Sequence, residues 1–145
     1  MGQFLNHLAK MAGENMRISK TAKQEQNISP EIQQRVNAII QRAQNGDVDA
    51  MFTLGGLYFK GEHVRYDPDT ACYWWTEAAN RGNVSCQYNL GLLYHGNLST
   101  MFYDPNLAGY WFNVAANNGD RDAYEMLTKH YRSVSYTHLT LPTIA

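Results

Sequence analysis

The chain has 145 residues, a length that suits one domain, and it contains 12 basic and 13 acidic side chains. This near-neutral balance lacks the basic excess of a nucleic-acid-binding protein, and no apolar run approaches the about 18 residues of a membrane span. Polar Asn6 and His7 interrupt the apolar N-terminal segment, which argues against a secretory signal. We therefore expect a cytoplasmic protein that binds neither nucleic acid nor membrane.

Residues 1–28 differ in composition from the rest of the chain and are predicted to form an arm or linker. Phe4, Leu8, Met11 and Ala12 share one face of a short helix. Such a helix can dock on a membrane surface or a partner, or it can pack on its own domain or stay disordered. The short apolar face favours the second pair of alternatives.

The first helix of the main domain begins at Ser29-Pro30-Glu31. Ser29 supplies an N-cap oxygen, Pro30 needs no amide partner, and Glu31 faces the positive end of the helix dipole. One apolar stripe follows: Ile32, Val36, Ile39, Ile40 and Ala43. Asn45-Gly46 ends the helix, which we interpret as an N-terminal cap for the repeats that follow.

From Gly46 onward the chain repeats itself with a period of 36 or 37 residues. The first repeated block reads Gly46, Ala50, Leu54, Gly55, Tyr58, then Gly82, Cys86, Leu90, Gly91, Tyr94, and then Gly119, Ala123, Leu127, Thr128, Tyr131. The second reads Asp67-Pro68, Ala71, Trp74, Ala78-Ala79 and then Asp104-Pro105, Ala108, Trp111, Ala115-Ala116. These blocks predict helices over about 48–60, 68–81, 84–95, 105–118 and 121–132. A period of 34 to 40 residues built from two helices is typical of an α-solenoid.

The predicted fold is therefore all-α, a right-handed α–α superhelix of helical hairpins. About two and a half repeats and the capping helix occupy residues 29–132. Trp74 and Trp111 recur at one place in consecutive repeats and are predicted to be major core residues. Trp75, whose counterpart is Phe112, is expected to contribute less. The small residue Gly91 is expected to allow close helix packing.

The strings AMFTLGGLYFKG…DPDTACYWWTEAANRG and CQYNLGLLYHG…DPNLAGYWFNVAANNG resemble Sel-one-like repeats, which are related to tetratricopeptide repeats. The resemblance covers residues 46–132 and implies an adaptor or scaffold that binds a protein or peptide, without a shared catalytic motif. The first turn departs from the family pattern, because His63 stands where a second glycine is usual. The turn at 95–103 is longer and has no Gly-x-Gly.

The segment 133–145 breaks with the repeats, having β-branched residues, Pro142 and no helical stripe. It is predicted to be either a disordered tail or an artefact, since it resembles translated adapter sequence found on unrelated proteins. In the second case we expect the natural protein to continue into further repeat sequence.

The resemblance also implies that the first helix of each hairpin lines a concave binding face. Side chains on these helices that lie off the packing stripe are the predicted partner-binding residues: Phe52, Phe59, Tyr88, Leu92, His95, Lys129 and Arg132. The face would be apolar at its start and charged at its end, which suits an extended or helical peptide. The alternative is that Phe52 and Tyr88 are partly buried packing positions.

No catalytic, cofactor or metal site is predicted. The five histidines show no HxxxH spacing and the two cysteines no CxxC, so Cys72 and Cys86 are expected to be buried thiols. Asp67 and Asp104 are interpreted as helix caps. Two other functions remain open: an immunity protein that neutralises a toxin, and a metal-dependent hydrolase subunit with His95 and His130 as ligands on neighbouring helices.

Overall fold

A computed structural model describes residues 28–131, and every regular element in that range is helical. The six α-helices are α1 Pro30–Gln44, α2 Val48–Lys60, α3 Pro68–Asn80, α4 Val84–His95, α5 Pro105–Asn117 and α6 Arg121–Met126. A 3-10 turn spans Thr100–Phe102 and a π-helical turn spans Leu127–Tyr131. The predicted all-α class is confirmed. The arm expected before residue 28 and the tail expected at 133–145 lie outside the described residues.

The helix limits follow the predicted ones except at the end of the repeat sequence. A regular helix was expected to continue to residue 132, but α6 ends at Met126 and the chain widens into the π turn. The wider turn accompanies the packing of the Tyr131 ring, which lies 5.9 Å from the Phe112 ring and 5.6 Å from the His95 ring. Tertiary packing therefore decides the shape of this last turn.

The chain divides between Trp74 and Trp75 into two compact units. In the first, α1 packs against α2 and buries Val36 and Ala43, while the isoleucines of its stripe are half-buried. The buried side of α2 consists of Ala50, Met51, Leu54, Gly55 and Tyr58. The predicted role of α1 as a cover for the first hairpin agrees with this packing.

Helix caps recur with the repeat. Asp47, Asn83 and Asp120 each accept a hydrogen bond from the backbone amide three residues later, at 3.0, 2.8 and 2.8 Å. The amide of Ala50 and then Arg42 lower the pKa of the Asp47 carboxyl. These caps satisfy amides that a helix start otherwise leaves without partners, and the sequence analysis had not singled them out.

The two Asp-Pro caps are confirmed. Asp67 accepts from the backbone amide and the hydroxyl of Thr70 at 3.0 and 2.7 Å. Asp104 accepts from the amides of Asn106 and Leu107 at 3.0 and 3.1 Å. In the second unit the Asp104 amide also donates to the Tyr94 carbonyl at 2.9 Å, so the start of α5 lies beside the end of α4.

His63 adopts the backbone conformation of the glycine that it replaces. Its φ of 61° lies in the left-handed region, where a Cβ costs about 1–2 kcal/mol. We expect His63→Gly to raise the free energy of unfolding by roughly 0.5–1 kcal/mol, because relief of this strain exceeds the entropy gained by the unfolded chain. Chemical denaturation measures the change, and His63→Ala, which keeps the Cβ, should give no such gain. An equal gain in both variants would assign the effect to the imidazole instead of the backbone.

The core of the second unit is built around Phe112, which is fully buried in a group of residues that we name the Phe112 cluster. Its partners in the buried cluster are Ala108, Ala115, Ala116, Ala123, Leu127 and Tyr131. A Cβ placed on Gly91 would lie 2.5 Å from two carbons of the Phe112 ring, so only glycine fits at position 91 without movement. The predicted close approach at Gly91 is therefore present.

The expectation that Trp75 contributes less than Trp74 is wrong as far as burial is concerned. Both indoles are 4% exposed, while Phe112 at 0% is more buried than Trp111 at 7%. The second aromatic residue of each pair is thus at least as deep as the first. Adjacent helical positions are only about 100° apart, so a helix covered on a broad face buries both.

A buried amide links helix ends within the second unit. Gln87 is fully enclosed, donates from Nε2 to the Ala79 carbonyl at 3.0 Å and accepts from Asn118 Nδ2 at 2.9 Å. The two cysteines form no disulfide: Cys72 is half-buried and Cys86 is buried. Burial raises the pKa of the Cys86 thiol to about 12, as expected for a structural thiol.

Candidate functional site

In the first unit, the predicted residues Phe52 and Phe59 lie seven positions apart on α2 and so share a helix face. Phe52 is 39% exposed and Phe59 is half-buried. Between them, a Cβ added at Gly56 would meet no atom within 4 Å, so this face is open in its middle. The Phe59 ring is tilted against the ring of Tyr66, with centroids 6.5 Å apart. We use the name α2 face for Phe52, Gly56 and Phe59 of α2 together with Tyr66 from the turn that follows the helix.

Tyr66 was missed by the sequence analysis although it is the most exposed member of the α2 face, at 55%. It lies directly before the Asp67 cap, in the turn between two helices. An aromatic residue in a turn, where no packing stripe requires it, was the signal that could have identified it.

In the second unit, Tyr88 and Leu92 lie off the main stripe of α4 as predicted, but they are half-buried against the Phe112 cluster. The Tyr88 ring is 5.9 Å from the Phe112 ring. Burial, followed by the charges of the acidic residues on α6 and at its N-cap, raises the pKa of the Tyr88 hydroxyl. The alternative that Tyr88 is a packing position is supported by these contacts, and the description of Leu92 as a side chain outside the packing is corrected.

His95, the last residue of α4, is half-buried and is surrounded by aromatic rings. Its Nδ1 lies 2.5 Å from the Tyr131 hydroxyl, and its ring centroid is 6.1 Å from that of Phe112 and 4.9 Å from that of His130. Burial and then His130 lower the pKa of His95. His95 and His130, which the sequence brought together only in the hydrolase alternative, therefore lie side by side. We name His95, His130 and Tyr131 the histidine cluster.

Of the two basic residues predicted for the charged end of the groove, the structure describes Lys129. Lys129 is exposed and its Nζ lies 3.3 Å from the Glu125 carboxylate one helical turn earlier, so part of its charge is compensated. Arg132 lies outside the described residues.

The long turn at 97–103 carries exposed apolar side chains in the second unit. Leu98, Met101 and Tyr103 are all exposed, with Met101 the most exposed of the three. The Ser99 hydroxyl caps the 3-10 turn by accepting from the Met101 amide at 3.3 Å. Helix α5 adds Leu107 and Tyr110, at 39% and 44% exposure.

Within residues 28–131, no group of three or more His, Cys, Asp or Glu side chains is placed to hold a metal ion. None of the helices there has both the length and the apolar character needed to cross a bilayer.

Comparison with known proteins places the repeats in a family. The Sel1 repeat matches residues 48–83 and 84–120, which are the two predicted full repeats. A Sel1 repeat protein from Oxalobacter formigenes is similar in structure, with a TM-score of 0.60, 30% identity, and coverage of 67% of this chain and 72% of that chain. A protective antigen of uropathogenic Escherichia coli that displays an SLR fold has a TM-score of 0.61 and 26% identity. That match covers 85% of this chain but only 27% of the antigen. The predicted α-solenoid fold is thereby confirmed.

Proposed function

The chain belongs to the Sel1 repeat family, and on that premise we propose that it is a non-catalytic module that binds a protein or peptide partner. Sel1 repeats typically mediate protein–protein interaction, which supports the general function. The partner and the binding face are the parts that we add.

The observation that carries the proposal is the exposed aromatic surface of the α2 face. Phe52 and Tyr66 expose large apolar rings, Phe59 supports the Tyr66 ring, and Gly56 leaves room between the aromatic side chains. Aromatic side chains around an opening are typical of the energetic centre of a protein interface. We infer that an apolar side chain of an extended or helical peptide inserts beside Gly56.

The second-unit residues Tyr88, Leu92 and His95 are proposed to contribute less than the sequence suggested. Tyr88 and Leu92 are held against the Phe112 cluster, and His95 is engaged with Tyr131. Replacing Tyr88 and Leu92 together would therefore weaken the fold as well as any contact with a partner. Lys129 forms an exposed ion pair with Glu125, so it would contribute only modestly to the affinity for an acidic ligand.

The test uses the full chain as bait for peptides selected from a random displayed library. We expect Phe52→Ala combined with Tyr66→Ala to weaken the dissociation constant of a selected peptide at least about tenfold, as for loss of an interface centre. The matched control combines Leu107→Ala with Tyr110→Ala on α5, which removes apolar groups of similar exposure. This control should bind normally, and thermal unfolding should show both variants folded.

The opposite pattern would contradict the proposed face. If the control pair lost binding while the Phe52 and Tyr66 pair kept it, the site would lie on the turn at 97–103 and α5. Failure of the library to yield any binding peptide would contradict peptide recognition itself.

An immunity or inhibitor role would use the same kind of surface against a toxin. Its distinguishing result is protection of cells that express the toxin together with this chain, and loss of protection in the Phe52 and Tyr66 variant. The cytoplasmic location expected from the sequence stays a prediction.

A further inference from the structure

Two imidazole rings that are 35 residues apart in the sequence meet in the second unit. His95 ends α4 and His130 lies in the π turn, and their ring centroids are 4.9 Å apart with an interplanar angle of 57°. His130 is exposed, so the space beside it is open to solutes.

This separation matches two histidines that share one metal ion. A zinc–nitrogen bond is about 2.0–2.1 Å long, so the centroid of a ligating imidazole lies roughly 3.2 Å from the ion. At a tetrahedral angle, two such centroids are about 5 Å apart.

Tyr131 contacts Nδ1 of His95, which leaves Nε2 as the nitrogen that can bind a metal. Nδ1 of His95 lies 2.5 Å from the hydroxyl of Tyr131, which is itself buried. When Nε2 binds a metal, Nδ1 keeps its proton and donates a hydrogen bond to the tyrosine oxygen. Metal-ligating histidines are commonly oriented by such a bond from the second nitrogen.

The packing around the histidine cluster also holds the His95 ring in place. The Phe112 ring stands edge-on to His95 at 6.1 Å and restricts its rotation. The nearby Lys129 ammonium is paired with Glu125.

We propose that His95 and His130 form a two-histidine binding site for a divalent transition metal ion of the zinc class, with Tyr131 as a positioning residue. The remaining coordination positions are filled by water or by a partner's side chain, since no third histidine, cysteine or carboxylate in residues 28–131 joins the pair. The ion links the π turn to the end of α4 and so stabilises the second unit. This role is independent of the proposed peptide site on the α2 face.

The experiment titrates zinc ions into the full chain by calorimetry at neutral pH. We expect one equivalent to bind, and His95→Gln and His130→Gln each to weaken binding at least tenfold. The matched control is His63→Gln, which removes a half-buried histidine near Glu62 and should bind zinc normally. A tenfold excess of zinc over its dissociation constant should raise the melting temperature of the wild type by roughly 5 °C and leave that of His130→Gln unchanged.

Tyr131→Phe tests the positioning role and should weaken zinc binding by about tenfold, because the Nδ1 bond is lost. Nitrogen NMR of the imidazoles gives a readout that stability alone does not change: zinc should shift the signals of two of the five histidines, and Tyr131→Phe should alter the tautomer signal of His95. Zinc binding that survives His130→Gln unchanged, or that falls equally in His63→Gln, would overturn the proposal. Because His130 is exposed, its variant is expected to fold, and circular dichroism verifies this.

Discussion

Replacing Phe112 with alanine should lower the free energy of unfolding by about 3–5 kcal/mol, the cost of removing a fully buried aromatic ring and leaving a cavity. The ring is 0% exposed and lies 5.9 Å from both the Tyr88 and the Tyr131 rings. Its loss therefore removes the common contact of α4 and the π turn. Typical domains are stable by only 5–15 kcal/mol, so this variant should be close to unfolding at room temperature.

Urea denaturation followed by circular dichroism measures the Phe112 effect. Phe112→Leu is the control, because it keeps most of the buried volume and should cost clearly less than the alanine change. Trp74→Ala and Trp111→Ala should also cost about 3–5 kcal/mol, since both indoles are buried. A Trp74→Ala protein that melted like the wild type would contradict the repeat register, and a mild Phe112→Ala variant would contradict its central place in the second unit.

Replacing Gly91 with alanine should lower the free energy of unfolding by about 2–3 kcal/mol, although alanine is the better helix former. The new methyl group would stand 2.5 Å from two carbons of the Phe112 ring, and this ring is 0% exposed and enclosed by other core side chains. Thermal unfolding should show the melting temperature falling by roughly 10 °C or more.

Gly56→Ala is the matched control for Gly91→Ala, since both glycines lie inside helices of the repeat. A Cβ at Gly56 meets nothing within 4 Å, so alanine there should stabilise the protein by roughly 0.5–1 kcal/mol. Opposite signs at the two glycines are the expected result. In addition, combining Gly91→Ala with Phe112→Ala should cost less than the sum of the two changes, because the clash disappears with the ring. Additive costs would show that Gly91 does not act through Phe112.

The repeat period, the helix limits and the Asp-Pro caps were accessible from the sequence because each depends on residues close together in the chain. The alternation of small and large residues at fixed offsets defines two helices per repeat, and Asp67 and Asp104 cap their helices through local hydrogen bonds. The left-handed conformation at His63 was also indicated locally, by its place where a glycine is usual. Helical periodicity likewise indicated that Phe52 lies off the packing stripe of α2, while its exposure of 39% was left open by the sequence.

Other features depended on which helix lies opposite, and the sequence could not decide them. Tyr88 and Leu92 lie at the edge of the α4 stripe, where periodicity does not say whether a neighbouring helix covers them. In the structure the Phe112 cluster partly covers both. A glutamine such as Gln87 is usually expected at the surface, but here it is buried and its side chain bonds to Ala79 and Asn118. His95 and His130 share no motif, so the sequence offered them as metal ligands only in the less favoured hydrolase alternative. Only the packing of the π turn against α4 brings their rings together, since long-range contacts are set by the fit of whole surfaces and leave no local pattern.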